Sequence, residues 1–456
     1  MNARLVRGGS VLIACTIVLV VASVMAVSLA ALSGANLGIA DNQRKANGAF
    51  ACTESGLEVT RYWLSRVRVP STTPPAEYFD TILTNVQNDL AAHSISNFLV
   101  NNDGSIPTVT LASAAQQSFL GQWSPDASDP TILHVTTTGS SRTASRTIAV
   151  QYHIVPYRFP IFNYGIATKG ALRFPRNPTL TGATDNWEAD IYVESAGDPL
   201  AVRVLGNANF DGKLDIGNPS AAVDFQGAVR IGDDYGAAAI AEHVTFGADP
   251  VEFPVPDVTR FRTYATGPVL DSTYDYGGAG VTLTNALIRA GTNPTFTGNG
   301  SVTIQGILYI EAPNIVTFAK HVALYGLIVA EGSPANVASN GLHFQGNFSS
   351  GGYPAGSQFD ALRAEQGSSI LAPGSAVSFT GNFSSVNGVL AAGSLYFSGN
   401  ANADIKGTMI SYSPSPTVVD GNISMDFDRT AMVEIPAGFD LYRELTYNPQ
   451  SYTLAY

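Results

Sequence analysis

The chain has 456 residues, and its 24 Lys and Arg against 36 Asp and Glu give a formal net charge of −12. This balance excludes nucleic-acid binding of the basic-patch kind, which needs clustered cations. Only 13% of the residues are charged, against roughly 25% in a typical soluble domain, and 44 residues are Gly. Low charge with abundant Gly predicts a β-rich protein outside the cytoplasm. Cys15 and Cys52 have no zinc-site spacing, and we expect no disulfide between them.

The N-terminal region begins with a membrane-spanning pattern. Residues 11–32 carry no charge and follow Arg4 and Arg7. Twenty-two helical residues extend about 33 Å, which is enough to cross a bilayer core. The two preceding arginines keep the N-terminus cytoplasmic by the positive-inside rule. We therefore expect a single-pass protein of the bacterial inner membrane, with its bulk periplasmic or at the cell surface. The anchor would include Val11, Leu12, Ile13, Leu19, Val20 and Leu29.

A removable secretory signal is the alternative for this segment, with small residues near Ser28 and Ala30 as the cleavage site. The helical period continues beyond the apolar segment, which favours an anchor. Residues that recur at three- and four-residue steps predict one helix over about 11–67. They are Ala46, Ala49, Phe50, Thr53, Leu57, Thr60, Leu64 and Val67.

Two short runs in this region resemble a known family. Residues 7–13, Arg-Gly-Gly-Ser-Val-Leu-Ile, and residues 49–58, Ala-Phe-Ala-Cys-Thr-Glu-Ser-Gly-Leu-Glu, are similar to the N-terminal segment of PilX-type minor pilins and of K-class pseudopilins. The resemblance covers about the first 65 residues. It implies that prepilin peptidase removes a leader, residues 1–9, after Gly9 and leaves Ser10 first, with a cut after Gly8 as the alternative. It also implies that the helix, within 10–68, packs with other pilins or pseudopilins in a type IV pilus or type II secretion-like filament.

The sequence departs from the major pilins at mature position five. Major pilins carry Glu there, whereas this chain has Ala14, or Ile13 under the other cut. No carboxylate occurs before Asp41, so the chain cannot pair a carboxylate with a neighbouring subunit's terminal amine inside a filament. The resemblance therefore implies an initiating or tip position.

A small α/β head is expected over residues 69–158, and its helix and strands packed on the long N-terminal helix would give the α+β layout of a pilin-like N-terminal part. Thr73 is the predicted N-cap of a helix that ends near His93, with an apolar stripe on one face. Three runs predict strands, namely 107–111, 131–137 and 147–155. Residues 136–147, rich in Thr, Ser and Arg, resemble the hairpin that closes a pilin head.

A repeat of about 20 residues dominates 159–411. Residues 302–309 align with 322–329, and residues 342–346 follow at the same step; later, 388 and 407 are 19 apart. A Phe-x-Gly mark recurs at Phe210, Phe225, Phe296, Phe344, Phe379 and Phe397. Stacked units of this length predict a mainly β, right-handed parallel β-helix, with a loop over 351–369. The alternative is a Gly-rich β-sandwich of hairpins. Residues 412–456 are expected to form a C-terminal cap.

One segment has the spacing of a calcium loop. Asn207, Asn209, Asp211 and Asp215 would occupy loop positions 1, 3, 5 and 9, with Gly at position 6. Position 12 is Asn218 rather than Glu, and a plain β-turn is the alternative interpretation.

Catalysis has no support in the sequence, and we predict neither catalytic residues nor a cofactor. The six histidines form no HExxH or triad-like pattern. Because parallel β-helices also house polysaccharide enzymes, the alternative function is an envelope-tethered carbohydrate-active enzyme that uses an acidic cluster, Asp211, Asp215, Asp233 and Asp234.

The favoured function is filament assembly, with the β-repeat region displayed for adhesion to a surface glycan or protein ligand.

Overall fold

The computed structural model describes residues 8–278, 280–399, 401–421, 423–430 and 432–455. The chain divides into two compact units. The head unit is Met1–Pro156 with Tyr442–Tyr456, and the layered unit is Tyr157–Leu441. Arg4, Arg7 and most of the predicted leader lie outside the described residues.

The described helices are four α-helices and six short 3-10 helices. The α-helices are α1 Gly8–Ser65, α2 Tyr78–Ala92, α3 Gly236–His243 and α4 Asp360–Arg363. The 3-10 helices are Pro75–Glu77, Pro160–Asn163, Asn186–Ala189, Thr259–Tyr264, Val337–Ser339 and Ser357–Phe359.

The strands alternate with short turns along most of the chain after α2. The first half comprises β1 Val69–Pro70, β2 Ser105–Ala112, β3 Gln117–Pro125, β4 Ile132–Ser141, β5 Ala144–Pro156, β6 Ile166–Thr168, β7 Leu172–Phe174, β8 Thr179–Gly182, β9 Ile191–Val193, β10 Leu200–Val204, β11 Ala208–Phe210, β12 Leu214–Ile216, β13 Ala222–Phe225, β14 Val229–Ile231, β15 Asp234–Tyr235 and β16 Val244–Phe246. The second half comprises β17 Val269–Leu270, β18 Thr282–Ile288, β19 Thr295–Phe296, β20 Val302–Ile310, β21 Ile315–Phe318, β22 Val322–Ala330, β23 Gly341–Phe344, β24 Phe348–Gly351, β25 Ser368–Phe379, β26 Phe383–Val386, β27 Val389–Ser398, β28 Ala401–Ile405, β29 Met409–Ser411, β30 Thr417–Asp420, β31 Ile423–Phe427 and β32 Tyr442–Ala455.

The C-terminal half of α1 packs on the head sheet. Most members of the predicted stripe are buried, and Thr53 is completely so. The Thr53 hydroxyl donates to the backbone oxygen of Arg146 at 2.9 Å and accepts the Gly139 N–H at 3.0 Å. A Cβ at Gly139 would lie 2.2 Å from the Thr53 nitrogen, so only Gly lets the strand approach the helix this closely. The long helix predicted from the sequence is confirmed.

The head sheet has six antiparallel strands in the order β1-β32-β5-β4-β3-β2. Ser141 pairs with Ala144, so the predicted hairpin closes at residues 142–143. The sequence did not predict β3 or β32, and Pro75 rather than a residue capped by Thr73 begins the helical segment. Because Pro156 pairs with Arg443, the chain leaves and rejoins the head sheet at neighbouring positions. The layered unit is therefore an insertion in the head sheet.

The described residues of the layered unit form one sheet of 26 strands. Its segments of about 20 residues, here called layers, pair mainly in parallel, as at Val302 with Val322 and Gly306 with Gly326. The strands β14 and β15 are antiparallel, so the sheet is mixed. The right-handed parallel β-helix stays a prediction. A sandwich of hairpins would need antiparallel neighbours throughout, which the registers of this unit do not show.

Five phenylalanines form a stacked column inside this unit. Successive ring centroids lie 4.9, 5.2, 4.9 and 5.3 Å apart, with ring planes within 7–11° of parallel. The members are Phe296, Phe318, Phe344, Phe379 and Phe397. Four carry the Phe-x-Gly mark, whereas Phe318 does not, and Phe210 packs instead on Phe174. Offset or parallel ring pairs of this kind contribute about 0.5–1.5 kcal/mol beyond the burial of their area.

The layers do not stack in the order of the sequence. The first layer, β6 to β8, pairs on one side with β29 to β31, for example at Ile166 with Met409. On its other side the chain continues through β9, β12 and β16. The chain thus enters the middle of the stack, winds to one end, and returns from the other end at β17. The junction is held by residues as far apart as Thr181 and Asp426, separated by 245 positions.

A segment without strands, residues 247–268, connects the two ends of the stack; we name it the crossing segment. It contacts successive layers in turn. The Tyr412 hydroxyl donates to the Pro254 oxygen at 2.6 Å, the Tyr264 hydroxyl donates to Glu365 at 3.1 Å, and the Gly267 N–H donates to the Asn285 oxygen at 2.7 Å. The crossing segment therefore runs along the side of the stack.

Two expectations for the C-terminal half differ from the structure. Residues 342–346 do not continue the 302 and 322 register, because Val322 pairs with Phe348 while Phe344 pairs with Phe318. Residues 412–456 do not form one terminal piece. Strands β30 and β31 belong to the large sheet, whereas β32 lies in the head sheet, where its partners on β5 satisfy its backbone hydrogen bonds. The loop over 351–369 is largely free of strands, as predicted.

Candidate functional site

The N-terminal part of α1 exposes a continuous apolar surface. Fifteen large apolar side chains between Val11 and Ile39 are 52–73% exposed. They include all six predicted anchor residues, Val11, Leu12, Ile13, Leu19, Val20 and Leu29. Each such side chain forgoes roughly 1.5–3 kcal/mol of burial free energy when it is left in water. This surface therefore requires lipid or another protein as its environment.

Three hydroxyl groups within this surface, those of Thr16, Ser23 and Ser28, form hydrogen bonds inside the helix. Ser23 donates to the Leu19 oxygen at 2.7 Å, Ser28 donates to the Val24 oxygen at 2.8 Å, and Thr16 donates to the Leu12 oxygen. Each bond returns to the preceding helical turn, so these three hydroxyl groups do not need water as a partner. The segment is long and apolar enough to cross a membrane.

Charge begins abruptly where the exposed surface ends. Asp41 accepts from Lys45 at 2.6 Å and from Arg44 at 3.0 Å, and Arg142 lies 3.9 Å away. The hydrogen bond from Lys45, opposed by partial desolvation, holds the pKa of Asp41 below its ordinary value. The apolar part of α1 and its packed part are thus separated by a compensated charge cluster.

The predicted processing residues lie at the start of this helix. Gly8, Gly9 and Ser10 are helical. Cleavage after Gly9 or Gly8 stays a prediction.

The four predicted calcium-loop residues have protein partners. The Arg230 guanidinium donates to Asn209 at 2.5 Å and to Asp211 at 3.1 Å. Asn207 accepts the Ala228 N–H at 2.9 Å. Asp215 lies in β12, where Lys213 at 3.0 Å contacts its carboxylate. Among the described residues, no group of three His, Cys, Asp or Glu could hold a metal ion.

The acids of the alternative enzymatic interpretation are dispersed among different contacts. Asp211 pairs with Arg230 and Asp215 with Lys213, Asp234 lies 3.0 Å from the His243 ring, and Asp233 is exposed. His343 is half-buried and contacts Ser378 at 2.8 Å. Burial lowers the pKa of His343.

A buried acidic group that sequence reasoning missed lies beside Asp215. Asp190 is 9% exposed and accepts the Lys213 N–H at 2.9 Å, while the Tyr164 hydroxyl donates to Asp215 at 3.0 Å. Burial raises the pKa of Asp190 to about 6. No local pattern identifies Asp190, because its burial depends on the packing of separate layers.

Comparisons with known proteins give likenesses among solved structures but none among family models or curated proteins. No protein-family model and no curated protein matches this sequence. Among solved structures, the chain is similar to the competence-associated pilin ComZ from Thermus thermophilus, with 13% identity over 90% of this chain and 98% of that chain, at a TM-score of 0.22. A TM-score this low does not establish a common fold.

Proposed function

We propose that this protein is a membrane-anchored, minor-pilin-like subunit of a type IV pilus or type II secretion-like filament. The observation that carries the proposal is the division of α1. Its N-terminal part is apolar and exposed, whereas its C-terminal part is buried on the head sheet. A helix that ends in its own domain's core and begins in an unpartnered apolar surface suits a subunit that moves from lipid to a bundle of similar helices.

The uncharged part of α1 is longer than the hydrocarbon core of a bilayer, which fits contact with lipid and with neighbouring helices. Residues 8–40 carry no charge and would extend about 50 Å as a helix, against about 30 Å for a hydrocarbon core. The residues beyond the lipid would contact neighbouring helices in the filament. Prepilin peptidase would remove residues 1–9 on the cytoplasmic side before assembly, leaving Ser10 first.

The proposed position in the filament is an initiating or tip position. The first described carboxylate along α1 is Asp41, which is already paired with Arg44 and Lys45. Ala14 stands where the pilin resemblance places the carboxylate that would pair with a neighbouring terminal amine. The subunit would therefore begin an assembly more readily than repeat along a shaft.

The layered unit would be displayed outside the membrane as a right-handed parallel β-helix used for adhesion. Its stack has protected ends, which supports a soluble, displayed module. Helix α3 buries Ala239 beside β14 and β16 at one end. At the other end, the Tyr276 ring packs edge-on against Phe296 with centroids 5.1 Å apart.

The proposal is tested by locating the tagged chain in the native bacterium. Filaments sheared from the cells should contain it at a small fraction of the amount of the major subunit, with the remainder in the inner membrane. Deletion of prepilin peptidase should leave the chain in the membrane and remove it from the filament fraction. Shaft-like stoichiometry would contradict the tip position, and absence from every filament preparation would contradict filament membership.

A further inference from the structure

A cleft of about 420 Å³ opens on the side of the layered unit. Three glycines from different layers, Gly326, Gly367 and Gly388, line it. All three have positive φ, at 141°, 85° and 118°. A Cβ at Gly326 would lie 2.0 Å from the Gly306 oxygen, and one at Gly388 would lie 2.7 Å from the carbonyl carbon of Gly367. The close stacking of layers thus requires glycine, and this part of the cleft has no side chains.

One wall of the cleft is the loop between β24 and β25, which internal bonds hold in place. The Arg363 guanidinium donates to the backbone oxygens of Pro354 at 2.7 Å and Gly356 at 3.1 Å, and it pairs with Asp360. The Tyr353 hydroxyl donates to the Glu365 oxygen at 3.1 Å. Because these bonds join groups of the loop to one another, the wall is preorganised and little ordering cost accompanies binding.

Three polar side chains that line the cleft, Lys406, Asn387 and Gln366, have groups available to a ligand, and none of them supplies the bonds named above that hold the wall. Lys406 lines the cleft, is exposed, and forms no ion pair with any residue in the described part of the chain. Asn387 is also exposed, and its amide can both donate and accept. Gln366 uses its amide nitrogen to donate to the Arg363 oxygen at 2.9 Å, which leaves its carbonyl oxygen as an acceptor.

The remaining lining is apolar. Met432 and Val433 contribute to the cleft, and Tyr353 presents its ring next to Gly326. A ligand that fits this lining has one negative charge for Lys406, hydroxyl groups for the two amides, and a C–H face for the apolar side chains. A metal cation would be repelled by Lys406, and among the described residues that line the cleft a phosphate dianion would find one cation without an ion-pair partner, Lys406.

We propose that this cleft binds an acidic saccharide, with the sugar carboxylate on Lys406 and hydroxyls on Asn387 and Gln366. This inference deepens the proposed display function. It rests on that function only for the place where the protein encounters the saccharide, outside the membrane. The sugar could belong to a surface glycan or to a secreted polysaccharide, since both present the same carboxylate and hydroxyl chemistry.

Calorimetric titration of the full chain in detergent micelles tests the proposal. The probes are three acidic oligosaccharides, containing glucuronate, galacturonate or sialic acid, each with a neutral oligosaccharide of equal length. At least one acidic probe should bind saturably and at least tenfold more tightly than its neutral partner. Lys406→Gln should weaken that probe about tenfold or more, because a charge-assisted bond is lost. Lys320→Gln, which makes the same charge change at an exposed site outside the cleft, should leave affinity unchanged.

Two glycine-to-phenylalanine variants, one inside the cleft and one outside it, test the site without changing its charge. Gly352 lines the cleft, and a Cβ there would meet its nearest neighbour, the Asn387 amide, at 4.0 Å. Gly352→Phe should therefore fold and block binding, whereas Gly197→Phe, where a Cβ has open space, should bind normally. Absence of saturable binding by all three acidic probes, or equal binding by Gly352→Phe and wild type, would overturn the saccharide site. Either result would leave membrane anchoring and filament entry, which are measured separately, unaffected.

Discussion

The chain contains two large apolar regions with opposite exposure. From Val11 to Ile39 the large apolar side chains are 52–73% exposed, whereas the five-phenylalanine column of the layered unit is at most 2% exposed. Each layer finds a partner in the next layer of the same chain, as Phe318 does with Phe296 and Phe344. The N-terminal segment of α1 has no such partner among the described residues. Apolar side chains thus build a core in the layered unit, whereas in the N-terminal part of α1 they indicate an environment of lipid or of another protein.

The largest expected effect comes from substitutions that place charge in the exposed apolar part of α1. Leu19→Arg with Val20→Arg should abolish stable membrane insertion, because each arginine at the centre of a spanning helix costs about 2.5–3.5 kcal/mol on the insertion scale. Alkaline extraction of membranes measures the retained fraction. Leu111→Arg with Leu120→Arg, at exposed positions of the head, is the matched control and should remain fully anchored. Retention of the α1 double variant would contradict a lipid environment for this segment.

The next largest effect comes from a substitution inside the buried phenylalanine column of the layered unit. Phe344→Ala removes the central ring of the column and should lower the free energy of unfolding by about 3–5 kcal/mol, through lost burial and a cavity. Thermal and urea unfolding of the full chain in micelles provide the measurement. Tyr396→Ala, at a side chain that is 40% exposed, should change stability by less than about 1 kcal/mol. Equal losses in the two variants would show that the column does not carry the stability of the stack.

A smaller effect is expected in the pH dependence of stability, to which two neighbouring acids with opposite pKa shifts, Glu188 and Asp190, contribute with opposite signs. Burial acts to raise the pKa of Glu188, but backbone N–H groups of Asp185, Thr184, Arg429 and Thr430 outweigh it and hold the pKa below the ordinary value. Its contribution to stability is present at neutral pH and is lost as the pH falls below about 4.3. Asp190, with its pKa raised to about 6, destabilises the fold as the pH rises from about 4 to 6.

Substitution of each acid distinguishes these signs. Asp190→Asn should raise the free energy of unfolding at pH 7 by about 1–3 kcal/mol and flatten its pH dependence between 4 and 6. Glu188→Gln should lower stability at pH 7, because an amide nitrogen would face backbone donors. Asp249→Asn, at an exposed position, is the control. A destabilised Asp190→Asn with an unchanged pH profile would contradict the assignment.

The smallest effect concerns the crossing segment. Arg262 contacts Glu311 at 2.5 Å and Glu331 at 3.6 Å, but its side chain is half exposed. Exposed ion pairs contribute little because water and salt screen them. Arg262→Gln should shift the unfolding temperature by less than about 2 °C, and Phe261→Ala, at the neighbouring fully buried ring, should shift it more. The reverse order would show that ion pairs rather than apolar burial hold the crossing segment.

Local periodicity predicted much of the architecture. The steps of α1, the stripe of α2, and the alignment of 302–309 with 322–329 each arise from neighbouring residues that face a common side. Four of the six Phe-x-Gly positions that indicated the repeat lie in the column. Phe318 was missed because no glycine follows it two residues later.

Pairings between distant segments were not predictable in this way. Strand β32 joins β5 across about 300 positions, as the bond from the Gln151 N–H to Ser451 shows, and β6 joins β29 across more than 240 positions. No local pattern indicates these partners. The same reason applies to the sites: the calcium spacing near Asp211 is local, whereas its partner Arg230 and the burial of Asp190 depend on other layers.

The N-terminal residue of the mature chain tests the central claim most directly. Mass spectrometry of protein purified from the membrane of its native host should find Ser10 as the first residue, or Gly9 under the alternative cut, and neither in cells that lack prepilin peptidase. An intact Met1, or a terminus near Leu32 that would indicate a removed secretory signal, would contradict the account of a processed, membrane-anchored, pilin-like subunit.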